Sequence, residues 1–338
     1  MKKYKYLIII LTTMIIYFFP QSVAYSITQN NDINLETLIS NIKNKNMDIK
    51  LLDEQSSIYL KKSSDAIDDT TELDYQYKAA DLQHQKKAKM QSLELEVKKS
   101  YYECNALKDE IALTNDSLNN LNKKIDMLKK KIDLGLAKDN DLSTYILQKS
   151  QIEATLYDLN NQLQQNLLNI KKICYIDINQ DIDISQIQIT FEPFDDNDIE
   201  NKIKNSVEKS YDLSYKQNLY NLELKKYNES DINSDLIAVK QAEVNLSDAK
   251  PSREIELWTL YYNLKNLENN VYIEKINYEN YINNYNISKI QYLNGQINAL
   301  DLEDIRIAME KQKISYQRSI NSYMISKEEF ENELNDIV

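Results

Sequence analysis

Three side chains in this sequence have the intrinsic chemistry for catalysis or covalent work near neutral pH: the single histidine, His84, and the two cysteines, Cys104 and Cys174. A serine or cysteine nucleophile needs a base, and His84 is the only imidazole to serve one. It stands among Gln83, Gln85, Lys86 and Lys87 on a predicted helix, where a solvated surface residue is expected rather than a ligand. The cysteines lack the paired spacing of a zinc site, and two glycines in the whole chain leave no loop to cradle a phosphate. Aspartates gather near Asp65 and at Asp195, Asp196 and Asp198, without the glycine or spacing of an EF-hand, so they read as solvated turns. The sequence therefore predicts no enzyme: no catalytic residue, no cofactor and no metal. Cys104 and Cys174 keep two alternatives open. Their midpoint is residue 139, inside a predicted turn, so in an antiparallel hairpin they lie at nearly equal height on the apolar stripe. Helix axes about 8–10 Å apart, against Cα atoms that must come within about 7 Å, allow either a disulfide or two buried thiols.

The elements that position these residues come from a chain with almost no punctuation. Among 338 residues only 2 are glycine and 3 proline, where ordinary usage is roughly 7% and 5%. Sheets, sandwiches and nucleotide-binding folds consume glycine at their turns, so long helices are the default. Residues 1–24 predict a signal peptide. Lys2, Lys3 and Lys5 precede an apolar run from Leu7 to Phe19, and Ser22-Val23-Ala24 supplies a cleavage site, with a retained membrane anchor as the alternative. Beyond Ala24 the chain holds 38 basic and 53 acidic residues, a charge of −15 that argues against nucleic acid as a partner.

The chain is written twice. Gly135 and Gly295 are 160 residues apart, and the same offset superposes Tyr101-Tyr102 on Tyr261-Tyr262, Leu107 on Leu267, and Asp141-Leu142 on Asp301-Leu302. A second correspondence, at offset 164, relates Leu35, Asp48-Ile49 and Lys61-Lys62 to Ile199, Asp212-Leu213 and Lys225-Lys226. The four-residue difference is about one helical turn, gained or lost between the two blocks. From Leu93 through Val97, Cys104, Leu107 and Ile111 to Ile132, apolar and small residues recur in alternating steps of four and three, the seam of a left-handed coiled coil. In the second half Leu260, Leu264, Leu267 and Val271 give way to Tyr278, Tyr281 and Tyr285. That amphipathic stretch either meets water or a neighbouring subunit, or is ordinary hairpin core. Gly135 and Gly295 suit the left-handed position past a helix C-terminus; Asp141 and Asp301 suit the N-cap of the returning helix, with Asp304 at the reciprocal N3 position. Pro251 suits the first turn of a restarted helix.

The fold predicted is all-α: two tandem repeats of long antiparallel coiled-coil hairpins. The first spans 25–175 with its tip near 135–141, and the second spans 197–338 with its tip near 295–301. A connector at 176–196 joins them, in which Ile182, Ile184, Ile187, Ile189 and Phe191 alternate with polar residues as a short strand or extended linker.

Order, duplication and the tip pattern G-x5-D-[LV], matched by Gly135 to Leu142 and Gly295 to Leu302, make the sequence resemble the TolC-like family of outer-membrane efflux proteins over residues 34 to about 334. Asn46-Met47-Asp48 is similar to that family's Asn-Pro-Asp/Glu signature without its proline. The resemblance implies a homotrimer forming a hollow helical barrel, with hairpin tips facing a membrane-fusion adaptor that is coupled to an inner-membrane pump. Leu134, Gly135 and Leu136, and their counterparts Asn294, Gly295 and Gln296, occupy the tip positions such adaptors touch in the family. One departure stands out. Family members insert two transmembrane strands per half, each of about 9–11 residues, whereas the gaps from Ser63 to about Lys78 and from Tyr227 to about Asp235 are too short and too acidic for a strand pair. The expectation is thus an exported envelope component of an efflux assembly, placed in the outer membrane by resemblance only. An envelope scaffold without a conduit is the alternative.

Overall fold

The computed structural model describes residues 32–230 and 232–337; residues 1–24, where the sequence predicts a signal peptide, lie outside them. In chain order the described residues form β1 (Asp32–Ile33), α1 (Leu35–Lys45), α2 (Met47–Ser64), α3 (Asp69–Asp133), α4 (Asp139–Ile173), β2 (Asp183–Ile184), α5 (Ile199–Lys209), α6 (Tyr211–Ser230), α7 (Asn233–Leu293) and α8 (Ala299–Leu334). Helices α5 to α8 repeat α1 to α4 in order. The long outgoing helices have 65 and 61 residues, about 97 and 92 Å at 1.5 Å per residue. Their starts are 164 residues apart and their ends 160, so the one-turn difference between the halves lies inside this helix. No described helix is long and apolar enough to cross a membrane.

Local sequence explains the breaks. Asn34 caps α1 by accepting from Thr37 N at 2.9 Å, and Asn46 ends α1 and caps α2, accepting from Ile49 N at 3.0 Å. Met47 is therefore the first residue of α2, the slot where proline is favoured because its N–H has no helical acceptor. Lacking a proline there, the chain uses the spare donor: Met47 N–H bonds Tyr175 Oη at 3.3 Å. Residues 65–68 turn α2 into α3, with Asp68 capping through Thr71 N at 2.7 Å.

Pro251 does not restart a helix. Helix α7 runs through it without interruption. Pro251 and Ser247, whose carbonyl loses its helical donor, both lie on the exposed face, where water can take the place of the missing bond.

The long helices form an open layer in the order α4, α3, α8, α7, with α1 and α2 packed on α3, and α5 and α6 on α7. Each hairpin has its own apolar core. Leu38 and Ile42 of α1 join Val97, Tyr101 and Cys104 of α3 and Ile170 of α4 in the first. Ile203 and Val207 of α5 join Leu257, Leu264 and Val271 of α7 and Phe330 of α8 in the second. The contact between hairpins, α3 against α8, is instead a ladder of polar pairs. Lys98 meets Glu328, Glu103 meets Arg318 at 3.0 Å, Asp116 meets Arg306 at 2.6 Å, and Lys124 meets Asp304.

The connector threads both cores. Only Asp183–Ile184 is strand, in parallel register with Asp32–Ile33, a pairing the alternation of isoleucines did not suggest. Ile182 and Ile184 enter the first core, Ile189 and Phe191 lie against the second, and Ile187 is exposed. Tyr101 donates to Ser185 O at 2.6 Å, and Phe194 N–H donates to Tyr323 Oη at 2.7 Å, so a buried tyrosine of each hairpin holds the connector, one at its middle and one near its end.

Candidate functional site

The residues singled out at the hairpin apices lie on two turns of one design. At the end of α3, Gly135 takes φ +71°; its N–H reaches Ile132 O at 2.8 Å, and Leu136 N–H reaches Lys131 O at 2.7 Å. At the end of α7, Gly295 takes φ +72°, with Gly295 N–H to Tyr292 O at 2.9 Å and Gln296 N–H to Gln291 O at 2.8 Å. This double closure satisfies the last helical carbonyls and requires a left-handed residue, which only glycine supplies without strain. A Cβ built at either glycine meets nothing within 4 Å. Backbone conformation, not space, fixes the residue type.

The returning helices start three residues earlier than Asp141 and Asp301 suggested. The N-cap of α4 is Lys138, and Asp141 sits at N3, its carboxylate accepting from Lys138 N at 3.2 Å. The N-cap of α8 is Asn298, whose Oδ1 accepts from Leu300 N at 2.8 Å and Asp301 N at 3.0 Å, while its Nδ2 donates to Asp301 Oδ2 at 2.6 Å. An acid at N3 completes a reciprocal cap as well as an N-cap acid would begin one, and the sequence pattern does not separate the two. Asp304, expected at N3, instead accepts from Asn120 at 2.7 Å and pairs with Lys124, both on α3. Leu142 and Leu302 are half-buried on the first turns of α4 and α8. Leu134 and Leu136, by contrast, are each 73% exposed, and Asn294, Gly295 and Gln296 are exposed at the second apex. Each tip thus presents a capped crown of three exposed residues, with its aspartate engaged in the turn.

The residues with catalytic potential lie in packed or paired positions. His84 is not a solvated surface residue: its ring stacks on Tyr211 at 3.8 Å between centroids, and Nε2 lies 2.8 Å from Asp336 Oδ2. Lys87 pairs with the same carboxylate at 3.2 Å. Burial alone would raise the Asp336 pKa; the His84 hydrogen bond and the Lys87 charge outweigh it and hold the carboxyl below its ordinary range. Tyr211 N–H also bonds Asp336 O at 3.3 Å, so this cluster fastens residue 336 across α3 and α6. No sequence spacing linked positions 84, 211 and 336. Cys104 and Cys174 are free, buried thiols in the first core, and desolvation pushes both up to about 12. Asp196 accepts from Tyr261 Oη at 3.1 Å and pairs with Lys265 at 3.1 Å, bonds that hold its carboxyl below the usual range.

A larger feature lies along the outer edges of the layer, where no motif in the sequence marks it. Ile237, Val244, Ile255, Tyr262, Ile273, Ile276 and Ile287 are all exposed on α7. Their spacings of 7, 11 and 3 residues keep them within an arc of about 60° at 100° per residue. On α4, Ile146, Tyr157 and Leu168 recur every 11 residues, also exposed. Helices α7 and α4 are the two edges of the helical layer. An 11-residue repeat of apolar positions was the available signal.

No protein-family model matches the chain, and no curated protein sequence matches it. Solved structures do. The CmeC outer membrane channel of Campylobacter jejuni aligns over 89% of this chain and 85% of its own, with a TM-score of 0.63 at 12% identity. The outer membrane protein VceC of Vibrio cholerae aligns over 89% of this chain and 94% of its own, with a TM-score of 0.61 at 10% identity. The MtrE outer membrane channel of Neisseria gonorrhoeae, in its open state, aligns over 89% and 88%, with a TM-score of 0.59 at 9% identity. With its two capped hairpins side by side in one open layer, the described chain has the fold of the TolC-like outer-membrane channels.

Proposed function

We propose that copies of this chain close edge to edge, α7 of one on α4 of the next, into a helical conduit serving an efflux or export assembly of the cell envelope. The observation that carries this reading is the exposed apolar stripe along α7, about 75 Å from Ile237 to Ile287 at 1.5 Å per residue. A monomer does not leave a stripe of that length facing water without cost, and a head-to-tail pairing of two different edges gives a ring when its rotation divides the full turn and an open filament when it does not. The number of copies is three by resemblance to the family. The same resemblance supports an outer-membrane or envelope location, export by the segment 1–24, and docking of a membrane-fusion adaptor, coupled to an inner-membrane pump, on the two tips. The repetition of α1–α4 in α5–α8 reflects duplication of one unit, with its halves at 25–175 and 197–338. No covalent chemistry belongs to this role, and the chain is not an enzyme.

Sedimentation of the full chain tests the reading. A discrete oligomer is expected, and Ile273→Lys with Ile276→Lys should release monomers that keep their helical circular dichroism. A chain that stays monomeric at high concentration contradicts the conduit.

A further inference from the structure

The two apices share a backbone and differ in chemistry. Aligned on their glycines, Lys129 has a lysine counterpart in Lys289, whereas Lys130, Lys131, Leu134, Leu136 and Lys138 of the first tip correspond to Ile290, Gln291, Asn294, Gln296 and Asn298 of the second. Lys129-Lys130-Lys131 is the only run of three basic residues in a chain of formal net charge −12. All three are exposed, and none enters an ion pair among the described residues. Lysines in a last turn complement the helix dipole, but the turn does not need them: α7 closes identically with no basic residue in its last turn. Lys138 argues more strongly. It is the N-cap of α4 with no side-chain cap bond, a position where asparagine or aspartate is preferred and where the dipole disfavours a cation. The second tip has the favoured residue, Asn298, there. Lysine at 138 therefore costs the helix something that a contact outside the chain can offset.

Resting on the reading of the tips as docking ends, we propose that the first tip is a charge-selective dock. It takes a protein surface whose apolar patch seats on Leu134 and Leu136 and whose carboxylates face the flanking lysines. The second tip, with Asn294 and Gln296 at its crown, exposed Ile290 and Leu293 behind them and Lys289 as its one nearby lysine, takes a surface with little charge. An anionic lipid surface shares the charge complementarity, but Asp133, Asp139 and Asp141 interleave with the lysines and would meet lipid phosphates at close range. A protein can place its carboxylates opposite the lysines alone.

The test uses the full chain with Leu134→Cys or Asn294→Cys, labelled with benzophenone maleimide, which the buried native thiols do not consume. Each is photolysed with native envelope extract and the captured segment is sequenced; each is also floated with vesicles of anionic phospholipid. At Leu134→Cys one protein segment should be captured, apolar and flanked by Asp or Glu. Adding Lys129→Glu, Lys130→Glu and Lys131→Glu should cut that yield about tenfold, as should a change from about 0.1 M to about 1 M salt, which shortens the Debye length from about 10 to about 3 Å. Capture at Asn294→Cys should change less than about twofold under the same substitutions and salt. Undiminished capture by the lysine variant, or a captured segment without carboxylates, overturns the charge selectivity and leaves the tips as docking ends. Capture at neither tip overturns both readings. Vesicle binding that the lysine variant loses, without a protein adduct at Leu134→Cys, overturns the proposal in favour of lipid.

Discussion

Cys104 and Cys174 show how little a residue's type says until its surroundings are known. Both thiols lie in the first core, where desolvation suppresses the thiolate that reacts. In native protein neither should react with a thiol reagent, and in denaturant without reductant both should; recovery of fewer than two thiols there would establish the bridged alternative. His84 belongs to a different kind of site. Its bond to Asp336, with Lys87, keeps that carboxyl's pKa depressed in the folded state. A depressed carboxyl stabilises the fold above its unfolded pKa of about 4, and the contribution disappears as pH falls through the lower folded value. Asp336→Asn should therefore lower stability at neutral pH by about 1 kcal/mol, with the gap to wild type closing below about pH 4. An unchanged gap down to about pH 3 in thermal melts would assign the effect to packing instead. The pairing of positions 84 and 336 depends on α3 and α8 lying side by side, a long-range fact that the residues flanking His84 do not encode.

At the scale of elements, the turns carry the sharpest prediction. Gly135 and Gly295 sit at φ +71° and +72° with open space around a would-be Cβ. Gly135→Ala and Gly295→Ala should each cost about 1–2 kcal/mol of local backbone strain, seen as faster amide exchange at the tip while the core protection is kept. A loss of the whole fold would mean that the glycines serve packing. The two hairpins were legible because a coiled-coil seam repeats for many turns and because a chain with two glycines can reverse sharply in few places. The starts of α4 and α8 were not, since Asp141 and Asp301 suit N-cap and N3 alike. Pro251 misled because proline normally ends a helix, and only the exposure of its turn shows how α7 continues. The strand Asp183–Ile184 was visible as alternation, but its partner Asp32–Ile33 is too short to give any pattern.

At the scale of the whole molecule, interfaces differ in kind. Within each hairpin the contact is apolar, between the hairpins it is a ladder of ion pairs, and at the two outer edges apolar side chains face outward. The four-and-three spacing marks the inner stripe of α7 and not the outer one, because a helix with apolar residues on two faces has little net amphipathicity. The proposed conduit requires the open layer to close on copies of itself around a lumen. End-on electron-microscopy averages of the purified full chain test it most directly. Four long helices per copy, three copies around, should give a ring of regularly spaced helical densities about a central hollow. Single four-helix rods, or pairs packed face to face with no hollow, would contradict it.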